Sequence, residues 1–300
     1  MLKKLAALVL VAIAGAACAS TSSDGTSTVR DFHIDRRMHH PAASPSPGDV
    51  LMRFAAIGDW GSGTSEEDAV AARMCRWRRH HPFDLVMTAG DNIYDVGAPA
   101  DFDEKFYRPM SCLLDDGVRF HASLGNHDIV TNDGRGEINE PRFGMKARNY
   151  VLRDSGVRFV FVDSNALDRQ WLRRAVTAAA GDLWTIVLFH HPVYSPGTGH
   201  GSTPGFRPSL PRLFRRKGVD LVVTGHDHIY SVTKPLHRIR YVVTGGGGAS
   251  LYGCSDKWFS DRCVAAHHFL YVVVRADRIV VQAVPSRGDP FDRFSTAGRS

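Results

Sequence analysis

Five short polar stretches of the sequence carry side chains that bind metal ions, and each follows an apolar run, in most cases through a glycine. Their residues of metal-ligand type are Asp59, Asp91 with Tyr94, Asn126 with His127, His190, and His226 with His228. A strand that ends in a tight turn holds a side chain rigidly, so the repetition predicts that these residues meet at one edge of the sheets. Carboxylates and a phenolate suit a trivalent ion, whereas imidazoles and an amide oxygen suit a divalent one.

The stretch from Gly90 to Tyr94 is the centre of this predicted site. Its Asp91 follows residues 84–89, a largely apolar run that predicts a buried strand with a glycine-assisted turn. Two metal ions about 3.5–4 Å apart clamp a phosphoryl group and lower the pKa of a bound water, which makes a nucleophile. The residues therefore predict a two-metal hydrolase that acts on phosphate esters.

Alternating strands and helices are predicted to position these residues. The predicted strands are 50–57, 84–89, 119–123, 150–152, 157–162, 185–189, 219–224, 239–244, 268–274 and 278–284. The predicted helices are one that begins at the capping box of Thr64 and stops before Pro82, and then 100–115, 168–180 and 209–217. Alternation followed by a strand-rich end predicts an α/β or α+β fold with its strands in two packed sheets.

The five stretches resemble the five signature blocks of the purple acid phosphatases, which belong to the calcineurin-like metallophosphoesterase superfamily. The matching blocks are Asp59-Trp60-Gly61, Gly90-Asp91-Asn92-Ile93-Tyr94, Gly125-Asn126-His127-Asp128, Val187-Leu188-Phe189-His190 and Gly225-His226-Asp227-His228. The resemblance covers about residues 50–285 and implies the small, single-domain type. It also implies a four-layer α/β/β/α sandwich, in which two mixed β-sheets are flanked by helices.

The resemblance assigns the metal ligands to two ions. The ligands that it implies for the first ion, Fe(III), are Asp59, Tyr94 and His228. Those that it implies for the second ion, a divalent Fe, Zn or Mn, are Asn126, His190 and His226, with Asp91 bridging the pair. Most metallophosphoesterases lack the tyrosine and use two divalent ions, so a phenolate of Tyr94 on Fe(III) would give a visible colour. The alternative is that Tyr94 packs in the turn with its hydroxyl bonded to the backbone.

The same resemblance implies the catalytic roles. A hydroxide formed at the metal pair attacks phosphorus in line with the leaving alcohol, and a trivalent ion acidifies its water enough to favour an acidic optimum. His127 is expected to contact the substrate and protonate the leaving group. His200 falls where small members of the family carry a histidine that contacts phosphate. His191 is expected to line the pocket, and Asp128 and Asp227 to orient neighbouring histidines.

Two other functions stay open at this stage. A phosphodiesterase or nucleotidase would use the same metal site, and loops 92–110, 129–148 and 192–208 would decide between these substrates and a monoester. A non-catalytic exported binding protein is the second alternative. Lost ligands would mark such a protein, and no ligand of the implied set is missing from the sequence.

The first residues predict export. Lys3 and Lys4 precede an apolar run of about 13 residues, which is too short to span a bilayer, so residues 1–18 are expected to form a signal peptide. Residues 15–18 resemble a bacterial lipobox, which would make Cys18 the lipidated first residue of the mature chain. The alternative is ordinary secretion with cleavage after Ala19. The protein is expected to be periplasmic, either free or membrane-anchored, or else secreted.

The rest of the chain is expected to form one domain. Residues 19–48 are rich in Ser, Thr, Pro and Ala and predict a disordered tether. The metal-binding residues extend from Asp59 to His228, so a boundary between them would split the site. We therefore expect a catalytic domain at 49–285 and a C-terminal tail at 286–300.

Composition and charge limit the partners. The 300 residues are 43% hydrophobic and 23% charged, which is typical of one sizeable core. The formal charge of +6 falls to +4 without Lys3 and Lys4, and it lacks the dense basic stripe of a nucleic-acid binder. The basic runs at 76–79 and 215–217 lie near predicted helix ends, where cations suit the helix dipole. We expect a small phosphate ester as substrate, a monomer, no specific nucleic acid, and membrane attachment only through lipid on Cys18.

The cysteine count fits an oxidising compartment. With Cys18 assigned to lipid, four cysteines remain and can form up to two disulfides. Cys254 and Cys263 bracket a short polar loop, so their pairing is favoured. A pair between Cys75 and Cys112 is the second expectation, and two free buried thiols are the alternative.

Overall fold

The structure is a computed structural model that describes residues 31–33, 46 and 48–298. The predictions of a signal peptide and of a lipidated Cys18 fall outside these residues. Within the part that is described, no helix has the length and apolar character needed to cross a membrane.

Fourteen strands and five α-helices make up the described chain. The strands are β1 (Asp31–His33), β2 (Val50–Ile57), β3 (Leu85–Thr88), β4 (Arg119–His121), β5 (Tyr150–Asp154), β6 (Val157–Phe161), β7 (Trp184–Leu188), β8 (Leu221–Thr224), β9 (Tyr230–Thr233), β10 (Arg240–Thr244), β11 (Ser260–Val264), β12 (His268–Arg275), β13 (Arg278–Pro285) and β14 (Asp292–Ala297). The α-helices are α1 (Ser65–Arg78), α2 (Ser111–Asp115), α3 (Arg135–Asn139), α4 (Arg169–Ala175) and α5 (Leu210–Lys217).

The strands form two mixed sheets. The large sheet has the order β1-β5-β6-β7-β8-β10-β9-β11, and the small sheet has the order β14-β13-β12-β2-β3-β4. Their inner faces share one apolar core, in which the ring of Phe54 meets the ring of Phe159 edge-on at 5.4 Å. Helices α4 and α5 cover the outer face of the large sheet with Trp171, Leu213 and Phe214. Two packed mixed sheets with flanking helices confirm the predicted fold class.

Parallel strands at the centre of each sheet fix where the site lies. Strands β2, β3 and β4 run parallel in the small sheet, and β6, β7, β8 and β10 run parallel in the large sheet. Backbone hydrogen bonds join their carboxyl ends. The N–H of Gly58, after β2, donates to the carbonyl of Thr244 at the end of β10 at 3.0 Å and so links the two sheets. Within the large sheet, the N–H of Gly225, after β8, donates to the carbonyl of His190, after β7, at 3.0 Å. Loops that follow these strands therefore gather at one edge.

Three segments differ from the sequence predictions. The helix predicted at 100–115 is divided into a 3₁₀ turn, a π turn at Asp103–Tyr107 and α2, because Pro109 has no N–H to continue an α-helix. Residues 31–33, within the predicted tether, pair in parallel with β5. The predicted tail contains β14, which pairs with β13, so the boundary expected at residue 285 is too early. Strand β14 is largely polar in sequence, which weakens its pattern.

Both cysteine pairs are disulfides. Cys254 and Cys263 are bonded with their Cα atoms 6.0 Å apart, as the sequence favoured. Cys75 and Cys112 are bonded with their Cα atoms 6.3 Å apart and join α1 to α2. The alternative of two free buried thiols is therefore wrong.

Candidate metal centre

The seven predicted ligands meet where the carboxyl ends of the central strands converge. Asp59 follows β2, Asp91 and Tyr94 follow β3, and Asn126 follows β4. His190 follows β7, and His226 and His228 follow β8. Residues that lie 169 positions apart in the sequence, from 59 to 228, thus share one site.

One group of side chains surrounds the hydroxyl of Tyr94, and we call it the tyrosine cluster. The Oη atom lies 3.3 Å from Oδ1 of Asp59, 3.1 Å from Oδ2 of Asp91 and 3.1 Å from Nε2 of His228. The same Nε2 lies 3.5 Å from Oδ1 of Asp59. The tyrosine hydroxyl faces acidic and imidazole groups here, so the alternative in which it bonds to backbone in the turn is wrong.

A second group surrounds the imidazole of His190, and we call it the histidine cluster. Its Nε2 atom lies 3.0 Å from Oδ1 of Asn126, 3.1 Å from Nδ1 of His226 and 3.2 Å from Oδ2 of Asp91. The Oδ2 atom of Asp91 thus belongs to both clusters. One carboxylate oxygen is shared by two groups of ligand-type atoms.

The arrangement fits bound cations. Among the described residues, Asp59, Asp91 and His190 offer ligand atoms that all lie within 4.8 Å of one another. Burial raises the pKa of Asp59 to about 8, and the charges of Asp91 and Asp59 outweigh burial to raise the pKa of His190 to about 10. A buried carboxyl group that must hold a proton in this way, as Asp59 does, is suited to a metal ion, which brings the compensating charge.

The backbone of the site is held in an unusual conformation. Asp59, Asp91 and His226 have positive φ angles of 57°, 48° and 71°. Residues other than glycine rarely adopt positive φ angles, and those that do are concentrated at functional sites. Gly125 allows a close approach as well, because a Cβ there would lie 2.1 Å from Oδ1 of Asp91.

Backbone carbonyls orient two of the imidazoles. The Nδ1 of His190 lies 2.9 Å from the carbonyl oxygen of Ala89, and the Nδ1 of His228 lies 2.7 Å from that of Ser250. A carbonyl only accepts hydrogen bonds, so each Nδ1 donates, and each Nε2 is the nitrogen left to face the site and bind a cation. Burial lowers the pKa of His226 to about 2, which keeps that imidazole neutral.

Asp128 and Asp227 orient loops rather than imidazoles. Asp128 accepts the N–H groups of Gly125 and Asn92, both at 2.7 Å. Asp227 accepts the N–H of His200 at 2.7 Å and that of Gly201 at 2.9 Å. Asp227 therefore orients the neighbouring His200 through its backbone, in line with the prediction, whereas the oxygens of Asp128 accept from loop N–H groups rather than from a histidine.

The remaining predicted histidines lie around the clusters. The Nε2 of His127 lies 3.9 Å from Oδ2 of Asp91, and its Nδ1 lies 2.5 Å from the carbonyl oxygen of Asp95. The exposed ring of His200 stacks on that of His226 with centroids 4.0 Å apart. The ring of His191 lies 4.5 Å from that of His226, so it lines the site as the sequence predicted.

Sequence reasoning missed Tyr252. Its ring stacks on the imidazole of His228 at 4.3 Å and 11°, and its N–H donates to the carbonyl of His228 at 3.0 Å. The glycine run at 245–248 was the available signal, since a Cβ at Gly245 would lie 2.1 Å from the carbonyl oxygen of Asp227. Such a run indicates that the segment passes close under the site, but it does not identify the tyrosine.

Residues 52–230 match the calcineurin-like phosphoesterase family, and this match covers more than half of the chain. The chain belongs to the calcineurin-like phosphoesterase family. The predicted superfamily is confirmed. All seven ligand-type residues described above, from Asp59 to His228, lie within the matched segment.

Curated relatives narrow the resemblance within the calcineurin-like phosphoesterases. The chain is 26% identical over 245 residues to purple acid phosphatase 17 of Arabidopsis thaliana, which covers 70% of this chain and 72% of that protein. It is 25% identical over 246 residues to tartrate-resistant acid phosphatase type 5 of Mus musculus, which covers 68% and 74%. The resemblance to purple acid phosphatases is confirmed. This resemblance, together with the cluster of Asp59, Asp91 and His190, identifies the chain as a metal-dependent phosphatase.

Solved structures share the calcineurin-like fold. A purple acid phosphatase from yellow lupin (Lupinus luteus) seeds superposes with a TM-score of 0.72 and 19% identity, over 85% of this chain and 55% of that chain. GAP50, described as the anchor in the inner membrane complex of Plasmodium, also has a TM-score of 0.72 and 19% identity, over 83% and 89%. At 19% identity these likenesses show a shared fold only, and that fold agrees with the two-sheet architecture described above.

Proposed function

We propose that this phosphatase is a binuclear enzyme of the purple acid phosphatase type that hydrolyses small phosphate monoesters in acid. The observation that carries the proposal is the position of Asp91, whose Oδ2 atom lies 3.1 Å from Oη of Tyr94 and 3.2 Å from Nε2 of His190. A carboxylate between two ligand clusters is suited to bridge two ions.

The donor types support different ions in the two clusters. Asp59, Tyr94 and His228 would hold Fe(III), because carboxylate and phenolate are hard anionic donors. Asn126, His190 and His226 would hold a divalent Fe, Zn or Mn, because imidazole and amide donors suit a borderline ion. When bound, the two ions would supply an activated water as nucleophile and neutralise charge on the phosphoryl group.

His127 is suited to protonate the leaving alkoxide. Its Nδ1 donates to the carbonyl of Asp95 at 2.5 Å, so the neutral ring has no proton on Nε2. Nε2 lies 3.9 Å from Oδ2 of Asp91, at the edge of the proposed metal pair. Only the imidazolium form has a proton to give from this atom.

His200 is suited to bind the phosphoryl oxygens. It is exposed beside His226, and its backbone N–H is held by Asp227 at 2.7 Å. A fixed backbone with an exposed imidazole suits contact with an anionic group that arrives from solvent. We assign His127 to proton transfer and His200 to phosphate binding.

Export is part of the proposal. Two disulfides, Cys75–Cys112 and Cys254–Cys263, support an oxidising compartment. The charged and apolar start of the sequence supports a signal peptide, and Cys18 supports lipid attachment in the periplasm. Plain secretion is the alternative, and mass analysis of the mature amino terminus distinguishes the two.

Turnover of a chromogenic monoester and of the matching diester, measured after metal analysis, tests the proposed function. The proposal predicts iron in the protein and faster turnover of the monoester, with a maximum in acid. Diester turnover far above monoester turnover would support a phosphodiesterase or nucleotidase instead. A protein with neither iron nor turnover would be a non-catalytic binding protein.

A further inference from the structure

A basic hollow of about 610 Å³ lies beside α5, and none of the residues that line it belongs to the metal centre. We call it the arginine pocket. Its principal lining residues are Tyr194, Arg207, Arg212, Arg215, Arg216 and Tyr241. Its volume is in the range of sites that bind small molecules.

Within the described part of the chain, no carboxylate compensates the charges of this pocket. Among the residues that the structure describes, no aspartate or glutamate lines the pocket. Nor does any described carboxylate form an ion pair with Arg207, Arg212 or Arg215. Like charges around one hollow repel each other, and a bound anion relieves that repulsion.

The helix dipole explains only part of this cluster. Arg215, Arg216 and Lys217 lie in the last turn of α5, where cations are favoured. Arg207 precedes the helix and Arg212 lies in its first turn, where the dipole disfavours a cation. The two arginines that the dipole does not favour nevertheless face the same hollow as Arg215 and Arg216.

Aromatic rings hold one of these arginines in place. The guanidinium carbon of Arg207 lies 5.5 Å from the ring centre of Tyr194 and 5.6 Å from that of Phe259. Tyr194 packs edge-on against Tyr241 with centroids 4.8 Å apart. A guanidinium that is already positioned loses little freedom when it binds an anion, and its planar donors match phosphate oxygens in pairs.

We propose that the arginine pocket is a second anion site, separate from the metal centre, that binds a phosphate-rich group carrying several negative charges. Four arginines around one cavity exceed what a single orthophosphate engages, so an oligophosphate or a phospholipid headgroup suits it better. Trp258, which is 65% exposed, lies 6.5 Å between ring centres from Tyr194, a lining residue of the pocket. Exposed tryptophan beside cations is also typical of protein surfaces that meet lipid headgroups.

Equilibrium binding tests the proposal with the metal-loaded protein and the bis-methylene analogue of tripolyphosphate, which phosphatases do not cleave. Saturating orthophosphate occupies the metal centre throughout. The double variant R212A/R215A should bind the analogue at least tenfold more weakly than the wild type. The matched control R76A/R79A removes two exposed arginines near the end of α1, which contacts the small sheet rather than the large one, and should stay within twofold. Monoester turnover close to that of the wild type verifies that both variants are folded.

A second arm distinguishes the source of the phosphate group. Vesicles that contain phosphatidylglycerol are compared with vesicles of phosphatidylcholine alone, using the same variants. Retention on the anionic vesicles that R212A/R215A abolishes and R76A/R79A preserves would assign the pocket to a lipid headgroup. Binding of the analogue alone with the same dependence would assign it to a soluble oligophosphate. The proposal would be overturned if the wild type bound neither the analogue nor the anionic vesicles, or if the two double variants lost the same amount of binding.

Discussion

The hydroxyl of Tyr94 lies 3.1 Å from Oδ2 of Asp91, within a site where burial raises the pKa of this tyrosine well above its usual value. A phenol in such surroundings stays protonated unless a cation replaces the proton. The pair therefore places a hard donor and a bridging carboxylate side by side, and only a metal ion of high charge would make the phenolate stable.

Replacing Tyr94 by phenylalanine should remove the colour of the enzyme. The wild-type protein should show a broad visible absorption band, because a phenolate on Fe(III) absorbs visible light, and Y94F should lose that band. The control is Y252F, since Tyr252 stacks on His228 but its hydroxyl is not part of the tyrosine cluster. A visible spectrum with metal analysis measures both, and a band that persists in Y94F contradicts the ligand assignment.

Replacing His127 by glutamine should slow the hydrolysis of phosphate esters most where the leaving alcohol is weakly acidic. Loss of a general acid costs about 10²-fold or more in kcat, and an alkyl phosphate depends fully on that proton. The kcat for a p-nitrophenyl ester should fall much less, because its leaving group departs without protonation. Steady-state kinetics on both substrates over a range of pH gives the comparison, and equal losses on the two esters would argue for a purely structural role.

The disulfide between Cys254 and Cys263 should matter for substrate binding. Gly197 and Cys254 form a β-bridge, and the N–H of Thr198 donates to Gly253 at 2.9 Å, so this disulfide supports the loop that carries His200. The variant C254S/C263S should raise KM several-fold with the metal content unchanged. It should also lower the free energy of unfolding by about 3 kcal/mol.

The disulfide between Cys75 and Cys112 provides the matched control for that prediction. It encloses 37 positions against 9, so removing it should cost more stability, about 4 kcal/mol, yet leave KM unchanged. Calorimetry and steady-state kinetics on both variants are the measurements. An equal rise of KM in both would mean that the His200 loop is not supported by its neighbouring disulfide.

The free energy of unfolding should fall in acid because His268 is buried in its neutral form. Burial lowers the pKa of His268 to about 4 from the usual 6.5, and its Nδ1 donates to the carbonyl of Ala266 at 2.8 Å. The unfolded chain therefore binds a proton below pH 6.5 that the folded chain does not. The free energy of unfolding should drop by about 1.4 kcal/mol per pH unit, or about 3 kcal/mol between pH 6.5 and 4, from this group alone.

Thermal unfolding of wild type and H268N over that pH range measures the contribution of His268. The variant should show a shallower loss of stability in acid, and H80N, at an exposed position, should follow the wild-type curve. Parallel curves for wild type and H268N would mean that other groups cause the acid loss.

The site was predictable from sequence where the polar residue follows a strongly apolar strand. Asp59, Asp91 and His190 come directly after buried runs, and parallel strands bring their carboxyl ends to one edge. Recognition of the tyrosine in the second block came from the family resemblance, since spacing alone does not separate a ligand from a packed phenol.

Other features depend on tertiary contacts that local patterns do not contain. Tyr252 reaches His228 only because the glycine run lets the chain pass close to Asp227. Strand β14 has a weak, partly polar alternation and gains its structure from pairing with β13. The backbone roles of Asp128 and Asp227 follow from loop geometry, which is set by the whole fold.

Metal stoichiometry together with monoester turnover, compared between wild type and D91N, tests the central claim most directly. The asparagine keeps the shape of the side chain but removes the charge that both clusters share. We expect two ions per wild-type chain, at most one in D91N, and a loss of turnover of at least about a thousandfold. A D91N protein that holds two ions or turns over like the wild type would contradict it.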